Sequence, residues 1–132
     1  PHQELMTYLY VFIGGGLGAC LRYAIGLVYP QHLIWGLPTK TWIANVLGSL
    51  LVAIAFSVQK NLPQQSLVEA MVVIGFCGGL TTFSTYILEA YHFILHKNYG
   101  SLAFFIFAHH LLAIIVFIIF LRATDTILGV KT

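Results

Sequence analysis

The sequence predicts an all-α membrane protein of four transmembrane helices, on three observations. Of its 132 residues, 59% are hydrophobic and 8% charged, whereas about a quarter of a soluble domain's residues carry charge. Mean hydropathy is +0.90. The apolar residues also fall into long runs separated by short Pro-, Gly- and polar-rich stretches, and a membrane crossing takes about 20 apolar residues. Residues 1–132 therefore read as one transmembrane domain, multi-pass in an inner or plasma membrane. The net charge is +2, and the six Lys and Arg are scattered singly, which leaves no footprint for nucleic acid. Cys20 and Cys77 lie in apolar runs without CxxC spacing and read as small packing residues.

The first helix spans about 5–29. Gly14, Gly18, Arg22 and Gly26 recur four apart, a stripe that argues for close helix contact. Arg22 either snorkels to the interface or faces a watery vestibule where it attracts anions. The run continues past signal-peptide length into Arg22 and more apolar sequence, which speaks against a cleavable signal. Pro30 to Lys40 is a loop, with Trp35 and Trp42 as interfacial anchors.

The second helix spans about 39–59, and its one strongly polar residue at depth is Asn45. An amide in hydrocarbon must be satisfied by protein or by a wet path. Thr41 lies one turn before it and Gly48 and Ser49 one turn after, so Asn45 belongs to a polar, small face. It serves there as glue between helices or as a site. Lys60 to Gln65, with Pro63, is the second loop.

The third span, about 66–96, is too long for one simple crossing, and at its centre stands Gly75-Phe76-Cys77-Gly78-Gly79-Leu80-Thr81-Thr82-Phe83-Ser84-Thr85-Tyr86. Glycines and hydroxyls loosen a helix where no water solvates a broken backbone. A break near 78–82 frees carbonyls on one side and N–H groups on the other, with Thr81 or Thr82 suited to cap the second half. Such discontinuous helices hold ions in transporters; otherwise the glycines simply admit a neighbouring helix. Glu89, one turn past Tyr86, reads as a proton-coupling carboxylate, a vestibule residue or an interfacial group. Tyr91, His92, Phe93, His96 and Lys97 read as an interfacial end.

The last helix spans about 102–121 and is apolar on all sides except at His109-His110. Adjacent helical positions diverge by about 100°, so at most one of the two faces a given cavity squarely. The tail from Arg122 to Thr132 is polar and expected to fray.

With four spans, Lys60, Arg122 and Lys131 fall on one side and Arg22, Lys40 and Lys97 on the other. The positive-inside rule then has nothing to act on. Insertion in both orientations and antiparallel pairing with a second copy follow as expectations, which would juxtapose two copies of the third span.

Three stretches, 14–23 (GGGLGACLRY), 41–49 (TWIANVLGS) and 78–86 (GGLTTFSTY), occur in an order and spacing that resembles the Fluc family of fluoride channels, over most of the chain. The resemblance implies a small four-helix protein of dual topology working as an antiparallel dimer with two fluoride paths. It implies Asn45 as a polar pore residue and Phe83 as an aromatic ring lining the route. Further, it implies a structural sodium ion at the dimer centre, held by backbone carbonyls of Gly78 and Thr81 from both copies. Arg22 would sit near a vestibule and Glu89 at an acidic position near the pore.

Fluoride is small and tightly hydrated, so a selective path must replace water with hydrogen-bond donors. The Asn45 amide, Ser84 and the hydroxyls of Thr82 and Thr85 can supply them, and Phe83 turned edge-on presents its positive rim. Two positions depart from the family pattern. Tyr86 stands where a second phenylalanine is usual. His109 or His110, followed by Ala113, stands where a hydroxyl-bearing track is common. Some members pair two different subunits, so a heterodimer is the alternative to a homodimer. Two other functions compete: a proton-coupled exporter like the small multidrug-resistance proteins, using Glu89, and a haem-binding or assembly subunit, using His92, His96, His109 or His110. No nucleophile, base and orienter stand at readable spacing, so no enzyme is expected.

Overall fold

The computed structural model describes residues 2–29, 33–34, 37–60, 67 and 69–129. Trp35, Pro63 and Lys131, to which the sequence assigns an anchor, a loop and a charge, lie outside them. Four segments are long and apolar enough to cross a membrane: His2–Val28, Thr39–Gln59, Glu69–Leu95 and Tyr99–Leu128. The chain is a multi-pass membrane protein. We label His2–Val28 α1, Thr39–Gln59 α2, Gly78–Leu80 α3, Phe83–Leu95 α4 and Tyr99–Leu128 α5. A minimal antiparallel hairpin, β1 (Leu33–Ile34) and β2 (Leu37–Pro38), pairs Leu33 with Pro38 and Ile34 with Leu37 ahead of α2.

Glycine sets how the bundle packs. α1 lies along the third span and α2 along α5. A Cβ on Gly14 would sit 2.1 Å from Met71 O, one on Gly18 2.1 Å from Phe76 O, and one on Gly79 2.3 Å from Gly15 O. Gly75 faces Val11 O in the same way, at 2.8 Å. Backbone therefore meets backbone along a seam with small residues four apart on both partners, the packing that bilayers favour where burial of apolar surface gives no advantage. Gly26 continues the stripe but has open space beside it.

The third span begins with wide π-helical turns over Glu69–Cys77, tightens to α3 and is extended at Thr81 (φ −77°, ψ 156°) and Thr82 (φ −148°, ψ 118°). Thr82 is the N-cap of α4, and its Oγ1 accepts from Thr85 N at 3.3 Å. At the far end, Lys97 takes the left-handed conformation (φ 54°). Lys97 N then donates to Ile94 O and Asn98 N to Phe93 O, both at 2.9 Å, the paired bonds of a Schellman turn. Asn98 Oδ1 in turn accepts from Ser101 N at 3.1 Å and caps α5.

One expectation is corrected. The tail does not fray at Arg122: α5 continues to Leu128, with Gly129 left-handed at its end. Polar composition there hides an anchor, because Asp125 is buried, accepts from the Ser57 hydroxyl and pairs with Lys60 Nζ at 2.7 Å. Trp42 packs, half-buried, on the cluster of Tyr86, Ala90 and Phe105. A second cluster, Ile25, Ala44 and Leu80, joins α1, α2 and α3.

Candidate functional site

Asn45 docks on the extended threonines. Its Oδ1 accepts from Thr82 N at 2.8 Å, and its Nδ2 donates to Thr82 O at 3.3 Å, so the side-chain amide pairs with the backbone as a neighbouring strand would. Nδ2 also lies 2.9 Å from His109 Nε2. Both Nδ2 hydrogens are thereby taken up, so Asn45 ties the extended threonines to α5. The partners were illegible because they lie 37 and 64 positions away.

The same contacts divert donors at the end of α3. A continuous α-helix would aim Thr82 N at Gly78 O, Phe83 N at Gly79 O and Thr85 N at Thr81 O. Thr82 N instead goes to Asn45, Arg22 Nε donates to Gly79 O at 3.1 Å, and Thr85 N goes to the Thr82 side chain. The carbonyls of Gly78 and Thr81, groups of the kind that bind hard cations, thus lose the amides that a continuous helix would give them. Gly78 is exposed on the single chain and Thr81 half-buried.

Two concavities flank this segment. One, of about 410 Å³, is lined by Ala19, Arg22, Tyr23, Gly26, Leu27, Lys40, Thr41, Thr82 and Thr85. Arg22 thus lines this concavity as well as reaching a carbonyl, and Lys40 adds a second cation there, which the sequence reading counted only as a loop charge. The other, a groove of about 320 Å³, is lined by Asn45, Ser49, Thr81, Thr82, Phe83, Tyr86, His109, His110, Ala113 and Ile114. Of the expected pore residues, Asn45, Thr82, Phe83, Tyr86 and His109 border this groove, and Thr85 borders the first concavity with Thr82. Ser84 is exposed, its Oγ 3.4 Å from Thr82 Oγ1.

The aromatic rings form a ladder. Phe83 stacks on Tyr86 with centroids 5.8 Å apart, and Tyr86 on Phe105 at 4.9 Å. Tyr86 also meets His109 edge-on at 4.8 Å. Tyr86 is 5% exposed and Phe83 72%, so the ladder runs from the interior to the outer face of the single chain. Glu89 is buried. Its Oε1 accepts from Thr41 Oγ1 at 2.6 Å, while its Oε2 has no hydrogen-bond partner among the described residues. Thr41 was noticed in the sequence only as a neighbour of Asn45.

The profile of the family described as "CrcB-like protein, Camphor Resistance (CrcB)" matches residues 9–121, a range that holds the glycine seam, Asn45, the extended threonines and both histidines. The chain belongs to the CrcB family. A Bacteroides fragilis relative named "Fluoride-specific ion channel FluC" is 31% identical over 110 residues, covering 81% of this chain and 87% of its own. A Staphylococcus aureus relative named "Fluoride-specific ion channel FluC 1" is 40% identical over 101 residues, covering 74% of this chain and 78% of its own. Membership of the CrcB family bears out the resemblance read from the three motifs, and it makes the protein a transport-type membrane protein rather than an enzyme.

Proposed function

We propose that this chain forms a fluoride-selective channel that passively exports fluoride across the cell membrane. The observation that carries the reading is the groove in which Asn45, Thr82, Phe83, Tyr86 and His109 converge, in a chain whose relatives are named for fluoride. Fluoride enters cells as the neutral weak acid HF, ionises in the less acidic cytoplasm and leaves down its gradient as the anion. A channel for it needs no energy coupling. Arg22 and Lys40 concentrate anions at the vestibule. Beyond it, hydroxyls, N–H groups and ring edges replace the water that the ion sheds.

The working unit in this proposal is an antiparallel homodimer, with the heterodimer as its alternative. Phe83, at the outward end of the ladder, and the nearby Ile87 are exposed on the single chain. A second, inverted copy would enclose them. The interrupted third span would then set Gly78 and Thr81 carbonyls from two copies toward one another. A bound sodium ion there supplies a fixed positive charge that offsets their repulsion.

Two measurements test the proposal. Proteoliposomes loaded with fluoride should discharge it quickly and retain chloride; equal flux of the two halides sinks the reading. Replacing sodium with a large organic cation should weaken dimerisation and flux together. The rival functions gain little from the geometry. His109 Nε2 faces Asn45, His92 and His96 are exposed, and among the described residues no three His, Cys, Asp or Glu gather as a metal site. An absorption spectrum with a Soret band would restore the haem reading. Drug-driven proton flux lost in Glu89→Gln would restore the exporter.

A further inference from the structure

The inference rests on the proposed fluoride path and concerns which atom meets the ion. Asn45 fixes the protonation of its neighbour by elimination. A backbone N–H can only donate, so the Asn45 oxygen is the atom facing Thr82 N at 2.8 Å. The amide nitrogen is then the atom 2.9 Å from His109 Nε2. An amide nitrogen can only donate, so Nε2 is the acceptor and carries no hydrogen. The neutral ring keeps its proton on Nδ1.

That proton has no partner among the described residues. His109 is 6% exposed, and its Nδ1 is fully buried with no hydrogen-bond partner among them. Its neighbour shows the ordinary alternative: His110 Nδ1 lies 2.7 Å from Ile106 O, one turn back. Leaving a buried N–H unmade is costly, and such a group in a native fold asks for an explanation. His109 borders the groove with Phe83 and Tyr86, packed edge-on against Tyr86 and Phe105. Its Nδ1 is closed even to a water molecule, and fluoride is about as large, so an ion reaches it only when a packed ring such as Tyr86 or Phe105 turns aside. Such an ion has shed its water, and there one hydrogen bond discriminates most between anions.

We propose that His109 Nδ1–H is a fluoride donor and a specificity-determining group of the path, and that Asn45 is the positioning residue that imposes its tautomer. Asn45 thus serves the ion at second hand: its own two amide hydrogens hold Thr82 and His109. The arrangement admits only the neutral ring. A second proton on Nε2 would oppose the Asn45 amide hydrogens and force Asn45 off the extended threonines.

Two side-chain amides separate the roles. In His109→Gln the amide reaches the Nε2 position and can still accept from Asn45, but nothing stands at Nδ1. In His109→Asn the amide stands at Nδ1 and can donate there, while Asn45 loses its acceptor. Wild-type, His109→Gln, His109→Asn and His96→Gln proteins are reconstituted, and fluoride efflux is read with an electrode. The expected order is wild type, then Asn, then Gln, with Gln slower than wild type by about tenfold or more and His96→Gln, at an exposed position outside both concavities, within about twofold. Gln equal to wild type, or faster than Asn, overturns the inference while leaving the fluoride channel standing. A wild-type protein that passes no fluoride removes the channel reading and this role with it. Should the variants not fold, ¹⁵N-histidine spectra of the wild-type protein decide. A Nδ1-protonated His109 whose Nδ1 resonance moves on adding fluoride, and not on adding chloride, is expected; a Nε2-protonated or fluoride-blind ring overturns the proposal.

Discussion

At the scale of single residues, hydrogen bonds set by one atom's chemistry decide what the site can do. Asn45→Asp replaces the nitrogen that holds Thr82 O and His109 with a second acceptor. The ring must then carry a proton on Nε2, so Nδ1 either loses its hydrogen or keeps it only on a charged ring paired with the new carboxylate, and the neutral donor is lost in both cases. Fluoride flux in liposomes should fall by roughly tenfold or more, the worth of about 1.5–3 kcal/mol for a hydrogen bond to a charged group. Thr41→Val removes the one donor on Glu89 Oε1. Because the carboxyl is buried, an unmade bond there costs about 1–3 kcal/mol, and unfolding in detergent should register it, with Thr41→Ser restoring most of the loss. An Asn, a Glu and paired histidines in apolar helices were conspicuous in the sequence because polar groups are expensive in a bilayer. Their partners were not, since a contact between residues 48 or 64 apart is made by packing and by no local pattern.

At the scale of the elements, glycine spacing and one buried carboxylate govern how the helices lie. Gly14→Ala or Gly18→Ala places a methyl about 2.1 Å from a carbonyl oxygen of the third span. Backbone cannot turn away as a side chain can, so each should cost at least the 1–3 kcal/mol or so of an overpacked core. Gly16→Ala meets nothing within 4 Å and should raise stability slightly, by up to about 1 kcal/mol of helix propensity. Thermal unfolding of the three variants in one detergent makes the comparison, and equal losses at all three would refute the seam. Asp125→Ala should release the end of α5 from Ser57 and Lys60, seen as faster trimming of that end by protease. The seam was legible because small residues four apart carry a geometric meaning. The length of α5 was not. Hydropathy ends the helix at Leu121, whereas the anchor at Asp125 acts across the bundle from α2.

At the scale of the whole molecule, the prediction concerns orientation. If the chain inserts both ways up, a single cysteine at Asn98, in a protein otherwise freed of Cys20 and Cys77, should be labelled from both sides of the membrane. Labelling from one side alone would leave only a partner of different sequence to supply the inverted half. The charge tally behind this expectation changes evenly. Arg22 lies within α1 with its Nε on Gly79 O, and Arg122 lies within α5, so neither is a loop charge. Setting both aside leaves Lys60 and Lys131 against Lys40 and Lys97, and the positive-inside rule still has no bias to act on.

The glycine seam has a mechanical consequence. Where two main chains touch with no side chains between them, nothing compressible lies in the joint, so α1 and the third span move as one stiff unit as far as Gly79. The extended threonines are slung between the end of that unit and the amide of Asn45, and neither mooring can slacken without the other.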